Sequence, residues 1–168
     1  RIFIAGATGV IGRRAIPQLL AAGHSLKALA RSPEKRATLE GLGVEASGAD
    51  LFLPSTLNQA VRGHEVVINI ATHVPPSSRA LLPGAWRETG RIRRNGSANL
   101  SAASLAAGAE RFIQESFAPV YEDGGDAWLD ERSPVRPARY NRTTRDAEAS
   151  AERFTKNGGA GIALRFAF

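Results

Sequence analysis

The sequence contains no cysteine, which excludes disulfides, thiolate catalysis and cysteine-built zinc sites together. It contains no methionine either, not even at position 1, so the chain is expected to lack its first residue and to be a piece of a longer protein. No apolar run approaches the roughly 18 residues of a membrane helix. "RIFIAG" enters a strand at once, with nothing resembling a signal peptide, and a cytoplasmic protein is expected. Lysine is scarce: Lys27, Lys35 and Lys156 are the only ones, and arginine supplies most of a formal charge of +6. That charge favours anionic partners, a phosphorylated cofactor among them. The basic cluster "RIRR" (Arg91, Arg93, Arg94) has no interleaved aromatic residue to stack bases. It reads as a solvated helix face, and nucleic acid is not an expected partner. His24, His64 and His73 stand apart from one another with no HExxH pattern, so no metal site is expected.

What is present is an ordinary globular balance, 43% hydrophobic and 23% charged, in 168 residues. That length suits one domain, taken here as residues 1–168. Short apolar runs alternate with helix-type stretches. Strands are expected at 1–6, 25–31, 44–50, 65–72, 111–116 and 160–168. Helices are expected at 10–23, 33–42, 54–63, in a long stretch ending near 110, and at 139–158. "EVVINIAT" is nearly continuous in apolar residues, as in a strand buried on both faces. Residues 117–137 carry Gly, Pro and Asp with little periodicity and read as a loop over a site. Six β–α alternations without hairpin signals imply a doubly wound parallel sheet in a three-layer α/β/α fold.

"GATGVIG" places Gly6, Gly9 and Gly12 between the first strand and the first helix. The first glycine permits a tight turn, the second lets backbone approach a pyrophosphate, and the third allows close helix–strand packing. The free amides around Thr8, Val10 and Ile11 would face the negative charge. A purely structural glycine turn is the competing reading. At the end of the second strand, where a carboxylate would bind the adenine ribose of NAD, stand Arg31 and Ser32, with no acid until Glu34. A fixed guanidinium suits a 2′-phosphate, so NADP is expected over NAD. Asp50 and Leu51, closing the third strand, are expected beside the adenine ring.

These residues resemble the extended and atypical short-chain dehydrogenases/reductases, including the NAD-dependent epimerase/dehydratase proteins. "GATGVIG" is similar to their cofactor loop in a Rossmann fold. "INIAT" resembles the segment beside the nicotinamide ribose and implicates Ala71 and Thr72. "NGSANLSAASLAAGAERFI" resembles their fourth helix and fifth strand, "QESFAPVY" the place of the catalytic serine, and "RYNRTTRDAE" the place of the YxxxK helix. The resemblance implies that Ser116 orients a substrate oxygen and that Tyr140 acts on it as acid or base. It also implies a missing substrate-binding part beyond "LRFAF", and subunit pairing through the fourth and fifth helices as a homodimer.

One residue breaks the pattern: Thr144 stands where the family has its lysine. A phenol with a pKa of about 10 holds little phenolate at neutral pH unless a fixed cation lies beside it. Gly125, four residues past Tyr121, offers no rescue. On a helix Arg142 and Arg145 would be turned by roughly 200° and 100° away from the faces of Tyr140 and Thr144 respectively. Three readings stay open: an NADP-dependent oxidoreductase with a modified site acting on a small molecule, a non-catalytic NADP(H)-sensing protein, and a nucleotide-sugar epimerase or dehydratase.

Overall fold

A computed structural model of the chain describes residues 1–167. Six parallel strands form one sheet in the order β3-β2-β1-β4-β5-β6. They are β1 (Ile2–Ala5), β2 (Leu26–Leu29), β3 (Glu45–Ser47), β4 (Val66–Asn69), β5 (Arg111–Phe117) and β6 (Ala160–Phe166). The order reverses between β1 and β4, and that switch opens a crevice at the carboxyl ends of the strands. The alternation read from the sequence is borne out, with β3 reduced to three residues of the expected seven. Phe168, the last residue of the expected sixth strand, lies outside the described residues.

The helices are α1 (Val10–Ala21), α2 (Pro33–Glu40), α3 (Pro54–Ala60), α4 (Arg87–Arg91), α5 (Ser97–Ala106) and α6 (Thr144–Lys156). A π-helical segment, Ile92–Gly96, joins α4 to α5 without a break in direction of the backbone angles. Proline at the first turn fixes the starts of α2 and α3, and Ser32 caps α2 by accepting the Lys35 amide at 3.4 Å. One core lies between the sheet and α3, α5 and α6; it holds Phe3, Leu57, Val67, Leu100, Phe112 and Phe154. The Phe112 and Phe154 rings stack at 5.6 Å, fixing α6 over β5. The other core, with Ile4, Ile16, Leu26 and Leu39, packs α1 and α2 on the opposite face. Each fully buried side chain of this size contributes about 1.5–3 kcal/mol, which makes the sheet a firm platform for its carboxyl-end loops.

The expected helix over 139–158 starts late. Residues 139–143 form turns, and α6 begins at Thr144. Tyr140 therefore sits ahead of the helix, and the helical rotation used above for Arg142 and Arg145 does not apply to it.

Candidate functional site

The β1–α1 junction is shaped by backbone crowding. Gly6 has φ +91°, and a Cβ there would lie 2.5 Å from the carbonyl of Ile70, just past the end of β4. A Cβ at Gly12 would lie 2.2 Å from the Ala7 carbonyl oxygen. Both positions exclude any side chain. Gly9 differs: its φ is −75°, and its nearest obstacle is the Gly6 oxygen at 3.2 Å. The Arg13 amide makes the first helical bond, to Gly9 at 3.0 Å, so the amides of Val10, Ile11 and Gly12 precede it and point out of the helix start. No acidic side chain occupies that first turn. Thr8 is half-buried, and Val10 is 75% exposed at the mouth. Open amides, a helix dipole and no competing carboxylate fit a phosphate group.

At the ends of β2 and β3, Arg31 is exposed and lies 3.6 Å from the Asp50 carboxylate. Asp50 also accepts the Phe52 amide at 2.9 Å. No acid neighbours Arg31 along the chain; Asp50 arrives instead from the loop after β3. Ser32 spends its hydroxyl on the α2 cap. Leu51 is half-buried, and its carbonyl accepts from Asn99 at 2.9 Å, which ties this loop to α5. On the other side of the crevice the Ala71 amide donates to Asn69 at 3.3 Å, and Thr72 is exposed. Asn69 is itself buried and donates to Ser97 (3.1 Å) and Gln114 (2.9 Å), which pins the end of β4 to its neighbours.

The two hydroxyl residues of the expected catalytic pair are held by different partners. Ser116 is fully buried at the end of β5, and its hydroxyl donates to the Glu148 carboxylate on α6. Glu148 is also gripped by Arg165 of β6 at 2.7 and 2.9 Å. Burial alone would raise the Glu148 carboxyl, but the hydrogen bonds from Arg165 and Ser116 and the charges of Arg165 and Arg145 hold it below its usual value. The Arg165 guanidinium lies 4.8 Å from the Tyr121 ring centroid. Tyr140 is 42% exposed and rests on Trp86, ring centroids 5.0 Å apart. Among the described residues no hydrogen bond joins Tyr140 to Ser116.

The largest departure concerns Arg93. Read as part of a solvated face, it is 3% exposed and donates to Glu115 at 2.9 Å and to Thr144 at 3.1 Å. Arg91 and Arg94 do lie outward, the first over the Phe52 ring at 3.6 Å and the second near Asp146 at 3.4 Å. Arg93 lies in the π-helical segment with its side chain turned inward, while Arg91 and Arg94 on either side of it stay exposed. Burial pushes the Glu115 carboxyl up, against the opposing pull of Arg93. A buried cation thus reaches Thr144, at the station where the sequence lacks a lysine. A periodic pattern could not reveal this, since the partners lie 51 and 22 positions away.

Among the described residues no helix is long and apolar enough to cross a membrane, and no cluster of three or more metal-ligating side chains is present. A family model described as NAD(P)H-binding matches residues 6–159. A 3-diazoavenalumate denitrifying reductase from Streptomyces is 33% identical over 99% of this chain and 55% of its own length. The photosystem II assembly factor Ycf39 of Synechocystis is 29% identical over 67% of this chain and 32% of its own. The structure of MoeE5 in complex with UDP-glucose and NAD superposes with a TM-score of 0.76 at 28% identity, covering 98% of this chain and 53% of that one. The chain thus spans about half the length of the reductase and of MoeE5.

Proposed function

The chain belongs to the NAD(P)H-binding family, and from that premise we propose that it is the cofactor-binding portion of an NADP(H)-dependent reductase acting on a small molecule. The observation that carries this reading is the open helix start beyond Gly6, Gly9 and Gly12, unopposed by any carboxylate. The amides at 10–12 and the half-buried Thr8 would hold the pyrophosphate. Arg31, released from Asp50 or sharing with it, would meet a 2′-phosphate, and Leu51 would lie against the adenine. Ala71 and Thr72 would border the nicotinamide ribose. The bound cofactor would supply a hydride. The protein's own contribution near the substrate would be the exposed Tyr140 hydroxyl. Ser116, committed to Glu148, would shape the end of β5 and reach a substrate oxygen only by exchanging that bond.

The likeness to a reductase across nearly the whole chain supports turnover. The test is NADPH oxidation against a panel of aldehydes, ketones and quinones with wild type and Tyr140→Phe. A tenfold or larger loss in kcat is expected for the variant. Undiminished turnover would remove Tyr140 from the chemistry.

A second reading has its own observation. Tyr140 packs at a tilt against Trp86, and the buried cation that reaches Thr144 is already paired with Glu115. With the likeness to an assembly factor, this favours a protein that binds the dinucleotide without turning it over. NADPH binding with no oxidation of any panel member would select it.

A further inference from the structure

Three residues of the α4 region touch the turn that carries Tyr140 and its continuation into α6. Trp86 meets the Tyr140 ring at 5.0 Å. A Cβ at Gly90 would lie 3.3 Å from Thr143 Cγ2, so the glycine lets that turn seat closely. Arg93 donates to Thr144 Oγ at 3.1 Å. Trp86 immediately precedes α4, Gly90 lies within it and Arg93 lies in the π-helical segment that follows. The turn is closed on itself by the Thr144 amide bonding to the Asn141 carbonyl at 2.9 Å, and it is tied back to the end of β5 through Asn141 donating to Pro119 at 3.1 Å.

Arg93 and Glu115 are poorly explained as stabilising groups. Removing two charges from water costs more than their attraction returns unless every lone pair and proton is satisfied. Here Arg93 Nε and Glu115 Oε2 are buried without partners. An apolar pair of similar size would hold the core as well. What the charged pair adds is reach and direction: one planar fork bonds the end of β5 and the start of α6 at once, from a π-helical segment.

We propose that Arg93 is the positioning residue of this site, clamped by Glu115 and Thr144 so that the 140–144 turn is held in one conformation at the end of β5. The claim rests on the reductase reading for its catalytic consequence and on geometry alone for its structural one. The experiment uses the whole chain carrying Trp128→Phe, which leaves Trp86 as the only indole. Into it are introduced Arg93→Met together with Glu115→Leu, which removes both charges, and separately Thr144→Val, which removes only the hydroxyl. Thermal midpoint, Trp86 emission, amide exchange over 138–144, NADPH affinity and quinone-dependent kcat are measured. The expected result is an unchanged midpoint and NADPH affinity, exchange at least tenfold faster over 138–144, altered Trp86 emission, and kcat reduced tenfold or more. Exchange and emission identical to the parent in both variants overturn the proposal. A parent that binds NADPH but turns nothing over sinks the reductase reading alone, because exchange and emission still decide the role of Arg93.

Discussion

Two regions at the carboxyl end of the sheet are built on opposite plans. The β1–α1 junction is made of backbone: two glycines that admit no side chain and a helix start with open amides. The β5–α6 corner is made of charged and hydroxyl side chains drawn from residues 93, 115, 116, 144, 148 and 165. The first plan fixes a shape that any phosphate can use. The second fixes particular side chains and so suits the part of a site that distinguishes one substrate from another. The difference teaches where substitutions are absorbed: backbone crowding cannot relax, whereas a buried side-chain pair can be replaced when both partners change together.

The effect least open to rescue by a second change is therefore expected at the junction. Gly12→Ala would drive a methyl to 2.2 Å from the Ala7 oxygen, and its cost is expected to reach about 3 kcal/mol or more, read as a fall in the urea midpoint. Gly9→Ala, with ordinary φ and a 3.2 Å nearest contact, is expected to keep the fold and weaken dinucleotide binding instead. If both glycines behave alike, the division between shape and recognition within that loop is wrong. At the corner, Arg93→Met alone strands a buried carboxylate and is expected to cost about 3–5 kcal/mol, while adding Glu115→Leu recovers most of it. Equal losses from the single and double variants would mean that packing around Arg93, and not its charge, holds the corner.

The smallest effect is one of pH. The Glu148 carboxyl is held below its usual value when folded, so its contribution is fully present above the unfolded value of about 4.3. It is lost as pH falls through the folded value. Because Arg165 and Glu148 remain partly exposed, solvent screening limits the contribution to about 1 kcal/mol. Glu148→Gln is expected to flatten the stability curve below about pH 4.3 and to leave it unchanged in shape above. A wild-type curve already flat there would assign the corner no electrostatic part in stability.

The same contrast governs what could be read from the sequence. The sheet, its parallel order and the glycine loop depend on local patterns: apolar runs, proline at helix starts, glycines at fixed offsets. They were legible for that reason. Asp50 facing Arg31 was not, since the two lie in the loops that follow neighbouring strands. Arg93 differs from the solvated face expected of it because its buried partners, Glu115 and Thr144, come from distant elements that a local charge pattern does not reveal. Tyr140 was placed on a helix because "RYNRTTRDAE" has helical composition. Tertiary contacts with Trp86 and Gly90 hold its first residues in turns instead. The Ser116–Glu148–Arg165 chain joins a strand end, a helix and a strand of distant position, and composition carries no trace of it.

The central claim is that the open helix start and Arg31 form a dinucleotide site with a preference for a 2′-phosphate. Calorimetric titration of NADPH and NADH into the wild-type chain and Arg31→Ala tests it most directly. The expected result is NADPH bound at least tenfold more tightly than NADH by wild type, with the two converging in Arg31→Ala as NADPH affinity falls. Equal binding of both by wild type would contradict the preference, and no binding of either would contradict the site itself.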